Sequence, residues 1–137
     1  MIESTVLIIK VGSEYLLTKR SGHLRNYPNH WVFVGGKIDK NETAKKAAIR
    51  ECEEEIGLVI EGINVHIFDS CPIYILDNKF KVYVFITKMD SIPHLILNQR
   101  EVTDVGLFGV DSTPELKYMT KYLFEILENL HVTIKDD

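Results

Sequence analysis

The sequence predicts an α/β fold, with a mixed β-sheet held between helices, and three observations predict it. Thr5–Val11 and Tyr15–Thr18 are apolar, β-branched runs broken only by Gly12-Ser13 and Glu14. Cys71–Leu76 and Phe80–Lys88 repeat that pattern around Asp77-Asn78. Two longer segments with helical spacing are interposed among these strand groups, and such interleaving points to helices layered on a sheet.

Taken in order, Thr5–Val11 and Tyr15–Thr18 read as a hairpin turned at Gly12-Ser13. Ser21–His30 holds Gly22, Asn26, Pro28 and Asn29 and reads as a polar loop. Trp31–Val34 is a short strand expected to stop at Gly35-Gly36. Asn41 is the expected N-cap of a helix from Glu42 to Ile56, with Gly57 closing it. Val59–Asp69 reads as a strand bent at Gly62, and Gly106–Val110 as a further short strand. The last helix is expected from Pro114 to Leu130, burying Leu116, Met119, Tyr122, Leu123, Ile126, Leu127 and Leu130. The tail Lys135-Asp136-Asp137 is expected to fray.

The chain has 137 residues, 45% hydrophobic and 26% charged, which suits one domain spanning 1–137. No apolar run reaches the roughly 18–20 residues needed to span a bilayer. No basic stretch leads into an apolar one at the start, so a cytoplasmic location is expected. Cys52 and Cys71 lack zinc-site spacing and read as reduced thiols. A net charge of −4 gives no basic field for nucleic acid, so none is expected as a partner. Lys19, Arg20, His23, Arg25 and His30 nevertheless form a local basic run, suited to a small anionic ligand. A homodimer is compatible with these features.

The segment Glu51-Cys52-Glu53-Glu54-Glu55 closes a helix, where acids are disfavoured by about 0.3–1 kcal/mol each. At 100° per residue, Glu51, Glu54 and Glu55 fall within about 100° on one face. Ala44, Ala47 and Ala48 continue that face toward the N-terminus, and Glu53 lies opposite. Three converging carboxylates suit a hard divalent cation, Mg²⁺ or Mn²⁺ in its place. Arg50, one turn before Glu54, is placed to brace them.

Gly36, Glu42, Arg50, Glu51, Glu54, Glu55, Gly57 and Leu58 together resemble the Nudix hydrolase signature, G-x5-E-x7-R-E-U-x-E-E-x-G-U, with Cys52 at the first apolar position. The resemblance implies a Nudix-like α/β/α sandwich. It also implies hydrolysis of a diphosphate linkage in a nucleoside diphosphate derivative, with Mg²⁺ on Glu51, Glu54, Glu55 and the Gly36 carbonyl. Glu42 and Arg50 would form the bracing ion pair. Glu54 is the first choice of general base, and Glu101 is the second, because Glu101–Phe108 resembles a stretch that often carries one.

Upstream, Leu16-Leu17-Thr18, Ser21, Arg25, Phe33 and Gly35-Gly36 resemble the pattern of the coenzyme A diphosphatase branch. Asn29 replaces a glycine there and Val34 a proline; Asn tolerates positive φ better than most residues. Under this resemblance Arg25, Lys19 and Arg20 would contact substrate phosphates. The competing readings are a housecleaning hydrolase of nucleoside triphosphates, dinucleoside polyphosphates or nucleotide sugars, and a Nudix-fold module that binds nucleotide without turnover.

Overall fold

The computed structural model describes residues 1–136, with side chains described through His131. β1 (Ile2–Val11) is the central strand. Its residues alternate between two buried faces, Val6 and Ile8 toward one cluster and Leu7 and Ile9 toward the other. Burial on both faces explains why the strand reads as an unbroken apolar run. Gly12, at φ +61, turns the chain into β2 (Glu14–Arg20), as expected.

The β1–β2 hairpin splays after two pairs, Lys10–Tyr15 and Val11–Glu14. The segment Trp31–Lys37 fills the opening. It pairs with β2 through β3 (Trp31–Val32) and with β1 through β4 (Val34–Lys37). The strand therefore does not stop at the glycine pair. Gly35 sits directly opposite Val6, and a Cβ there would collide with the Thr5 carbonyl oxygen. The glycines allow close approach of two backbones rather than a turn.

α1 (Ala44–Ile56) begins later than expected. Asn41 has φ +66, which an N-cap does not adopt. Thr43 caps the helix instead, its Oγ1 accepting from Lys46 N at 3.2 Å. Gly57 closes the helix in the left-handed conformation, as expected. The segment expected as a strand over Val59–Asp69 is mostly irregular. Gly62–Asn64 forms one 3₁₀ turn, and only β5 (His66–Ile67) pairs with the sheet.

β6 (Ile73–Leu76) and β7 (Phe80–Met89) form the expected hairpin, with Asp77 and Asn78 both at positive φ. β7 runs parallel to β1 along its whole length, from Ile2–Phe80 to Val11–Met89. β8 (Val102–Phe108) pairs antiparallel with β2 and starts four residues earlier than expected.

α2 (Tyr118–Asp136) also departs from expectation, starting at Tyr118 rather than Pro114 and continuing beyond Leu130. Tyr118 has φ +52, so the chain before it cannot be a continuous part of the helix. Lys135 and Asp136 lie in helix rather than in a frayed tail, and Asp137 falls outside the described residues. Leu123 and Leu127 are buried as expected, whereas Tyr122 and Leu130 are exposed. α2 covers one sheet face and α1 the other, which makes the α/β/α sandwich. Among the described residues, no helix is long and apolar enough to cross a membrane.

Candidate active site

Ala47, Ala48 and Cys52 are fully buried and bring α1 hard against the sheet. This seats the last helical turn beside β4. A Cβ on Gly36 would stand 2.6–2.8 Å from the Glu51 carboxyl atoms, so only glycine leaves room for that carboxylate. One residue earlier, the Gly35 N–H donates to Glu55 Oε2 at 3.1 Å. The glycine pair thus meets two of the three converging acids, one through space and one through a hydrogen bond.

Arg50 organises the rest. Its Nε donates to Glu42 Oε2 at 2.7 Å and its Nη2 to Glu42 Oε1 at 3.0 Å, a bidentate pair. Nη1 donates to Glu51 Oε1 at 2.9 Å and to Glu54 Oε2 at 3.1 Å. Nη2 also reaches the Lys37 carbonyl at 3.1 Å, so every N–H of the guanidinium has an acceptor. Asp39, which sequence reasoning missed, lies 3.4 Å from Nη2, and its N–H donates to Glu42 Oε1. The Glu42–Arg50 brace is therefore formed, and it also holds Glu51 and Glu54. Glu53 points to solvent.

The charges are set by these contacts. The Arg50 hydrogen bond pulls the Glu42 carboxyl below the usual carboxylate range. Burial pushes Glu51 up, with Arg50 opposing it and Glu54 and Glu101 adding to it. Glu55 is buried and stands well above the usual range, first through desolvation and then through the charge of Glu51. Glu101 is exposed at the foot of β8 and adds its negative field to both Glu51 and Glu55. Its backbone carbonyl accepts from Ser21 N, which ties the basic loop to this corner.

A divalent cation fits this corner by the chemistry of its donors. All are oxygens, two of the carboxylates disfavour each other's charge, and the missing Cβ of Gly36 leaves a backbone cradle beside Glu51. Among the described residues, no three acidic, imidazole or thiol groups are already gathered as a metal shell. Arg50 holds Glu51 and Glu54, so binding a cation requires their carboxylates to turn.

Glu55 and the glycine pair line one part of an open cavity of about 320 Å³. Of the three basic residues expected to contact substrate phosphates, Arg20 lines it; Arg25 is exposed on the loop and Lys19 is half-buried on β2, neither among the lining residues. Arg20 pins the loop: its N–H donates to His30 O, its carbonyl accepts from Asn29 N, and its Nε donates to Asn26 O at 3.0 Å. Asn29 takes φ +61, the conformation its side chain was expected to tolerate.

Tyr27, His30 and Tyr118 line another part of the cavity and pack on one another, with ring centroids 5.2–6.4 Å apart. Tyr27 and Tyr118 both hold positive φ, at 51° and 52°. For residues of this size that conformation costs roughly 1–2 kcal/mol each. Sequence reasoning passed over both, since nothing in the sequence marks Tyr118 as the break before α2. Tyr74 and Phe80 line the cavity wall, whereas Trp31 packs on Phe108 at 5.1 Å.

Residues 1–130 match the NUDIX domain. The chain is 35% identical over 119 residues to an uncharacterised Nudix hydrolase of Listeria innocua, covering 86% of this chain and 69% of that one. A Caenorhabditis elegans protein named Nudix hydrolase 3 is 31% identical over 109 residues, or 78% of this chain. The chain spans only 45% of that relative's length. Among solved structures, a MutT NUDIX hydrolase from Burkholderia pseudomallei is similar at TM-score 0.75 and 24% identity, covering 90% of this chain and 95% of that one. A C. elegans Ap4A hydrolase is similar at TM-score 0.68 and 19% identity, covering 98% and 99%. At these identities the solved structures bear on the fold alone.

Proposed function

The chain belongs to the Nudix hydrolase family, and from that premise we propose that it hydrolyses a diphosphate linkage in a nucleoside diphosphate derivative with the help of Mg²⁺. The observation that carries this reading is the meeting of Glu51 and Glu55 with the Gly35-Gly36 backbone, beside a cavity that Glu55 and both glycines line. Glu51, Glu54, Glu55 and the Gly36 carbonyl would hold the cation, which supplies positive charge to the phosphoryl oxygens as the bond breaks.

The chain's own residues do the remaining work. Arg50 holds Glu54 through Oε2 before a cation binds. Once its carboxylate has turned from Arg50, Glu54 would take the proton of the attacking water on the oxygen not engaged in holding the cation. Glu42 and Asp39 hold Arg50 in turn. Glu101, whose charge contributes at Glu51 and Glu55, is the second candidate for the base. Arg20 offers a fixed charge in the cavity for a phosphate. The free, buried thiols of Cys52 and Cys71 suit a reducing, cytoplasmic setting.

Within this class, coenzyme A and its thioesters are the finer reading, supported by the spacing of Leu16-Leu17-Thr18, Ser21, Arg25, Phe33 and Gly35-Gly36. The test is turnover with Mg²⁺ of coenzyme A, its 3′-dephospho form, ADP-ribose, dinucleoside polyphosphates and nucleoside triphosphates. Glu54→Gln is expected to lower kcat about 10²–10⁴-fold with the fold intact; near-normal turnover would remove Glu54 as base and leave Glu101→Gln to be tried. Arg25→Ala is expected to raise KM for coenzyme A more than for the 3′-dephospho form. Equal effects would remove the argument for coenzyme A. No turnover of any diphosphate by folded protein would favour a binding module.

A further inference from the structure

The geometry points to the Tyr27–His30–Tyr118 cluster as the platform on which the nucleobase of the substrate stacks. This inference rests on the proposed substrate class and assigns aromatic residues of the same cavity that the acid corner does not use. Three rings lie within stacking range of one another, and Tyr27 and Tyr118 remain 42% and 57% exposed. They come from separate parts of the chain, the loop before β3 and the first residue of α2.

Each tyrosine is held by a left-handed backbone that its side chain disfavours. Such conformations persist where the surroundings over-determine them and cluster at ligand sites. The loop supplies that determination here. Arg20 bonds the loop on either side of Tyr27, its Nε donating to Asn26 O before it and its backbone pairing with Asn29 N–H and His30 O after it. His30 Nδ1–H donates to the Pro28 carbonyl at 2.9 Å. The rings are therefore presented to the cavity before any ligand arrives.

The neighbouring walls decide between occupants. Leu76, Phe80, Val82 and Met119 are apolar, and the cations nearby are Arg20 and Lys117, while Glu55 is the acid among the lining residues. Asn26, Ser4, Thr5 and Thr120 add hydrogen-bonding groups that suit a sugar or the polar edge of a base. A flexible aliphatic arm would bury apolar area here but would lose rotamer freedom that a rigid ring does not have to lose. A planar heterocycle gains from the rings, and its phosphates meet the cations.

The test measures binding without turnover. Adenosine 5′-monophosphate, uridine 5′-monophosphate and ribose 5-phosphate are titrated calorimetrically into the protein and into Tyr118→Gly, Tyr118→Phe and Tyr27→Phe. Tyr118→Gly removes the ring and also relaxes the positive φ, so it is expected to fold, and Tyr118→Phe keeps the ring if it does not. Wild type is expected to bind at least one nucleotide about 5–150-fold more tightly than ribose 5-phosphate, the range of one base stacked on an aromatic ring. Tyr118→Gly is expected to erase that margin and the two phenylalanine variants to keep it. Equal affinity for nucleotide and ribose 5-phosphate, or a margin that survives Tyr118→Gly, overturns the inference. An inactive protein that still shows the ring-dependent margin would count against the hydrolase reading alone. An active enzyme whose Tyr118→Gly variant loses base-bearing and base-free substrates alike would count against the platform alone.

Discussion

Gly35 and Gly36 are chemically identical neighbours, yet replacing each by alanine should damage a different property. At Gly36 the new Cβ would lie 2.6 Å from the Glu51 carboxyl carbon, about 0.8 Å short of the 3.4 Å at which ordinary contact begins. The obstructing group is the end of a side chain, so it can yield. Glu51 would turn away and loosen its bond to Arg50, with a small cost to the fold. Displacements near 1 Å at a reacting centre cost on the order of 10²-fold in rate. Gly36→Ala should therefore lower kcat/KM about 100-fold while melting within a few degrees of wild type.

At Gly35 the obstruction is the Thr5 carbonyl, with Val6 Cα at 3.0 Å. Backbone inside a fully paired strand cannot yield in the same way. Overpacking of this kind costs about 1–3 kcal/mol or more. At roughly 3 °C per kcal/mol for a chain of this size, that lowers Tm by about 3–10 °C. Thermal melts and steady-state turnover of the two variants, side by side, separate the effects. Full turnover in Gly36→Ala would refute the argument that Glu51 needs the space a glycine leaves. So would a Tm loss in Gly36→Ala as large as that in Gly35→Ala.

Two further outcomes follow from the same helix. Glu55 has its folded pKa raised, so its ionisation opposes folding: the penalty is absent below its unfolded value near 4.3 and grows as pH rises from there toward the folded value. Glu55→Gln, which keeps an oxygen to accept from Gly35 N–H, should then gain in Tm relative to wild type between pH 4 and 7 in chelator. Added Mg²⁺ should shrink that gain, and a pH-independent difference would contradict the desolvation argument. At the other end, Thr43→Ala removes the acceptor for Lys46 N and should cost about 0.5–2 kcal/mol by urea unfolding, with turnover per folded molecule unchanged. A neutral result would mean that the cap is replaced by water.

The parts of the site that repeat at short range were legible in the sequence. Glu51, Glu54 and Glu55 follow from helical arithmetic, as does Arg50 one turn before Glu54, whereas the pairing of Glu42 with Arg50 was implied by the resemblance of the signature and not by spacing. What escaped were relations between distant segments. Gly35-Gly36 looks like a turn because glycine has two uses, and only the splayed β1–β2 hairpin shows which one applies. Asn41 looks like a cap until Thr43 is seen to make the bond. Tyr118 falls inside the segment expected as helix but outside its apolar stripe, so nothing singled it out. Its role appears only when the loop before β3 places Tyr27 against it.

The parallel pairing of β1 with β7 also carries a consequence for how the chain reaches this structure. Thr5 and Tyr83 are register partners, 78 residues apart in the chain. Contacts this distant close late, because the loop entropy is lost before the contacts repay it. β4 and α1 can dock on β1 using only the first 56 residues, which assembles the acid corner of the cavity. The wall carrying Tyr74 and Phe80 must wait for β7, and the platform at Tyr118 for α2. Until then β1 presents its long apolar edge unpaired, the kind of edge that seeds association between unfinished chains. Refolding of this protein should accordingly depend on concentration, and recovery should improve on dilution.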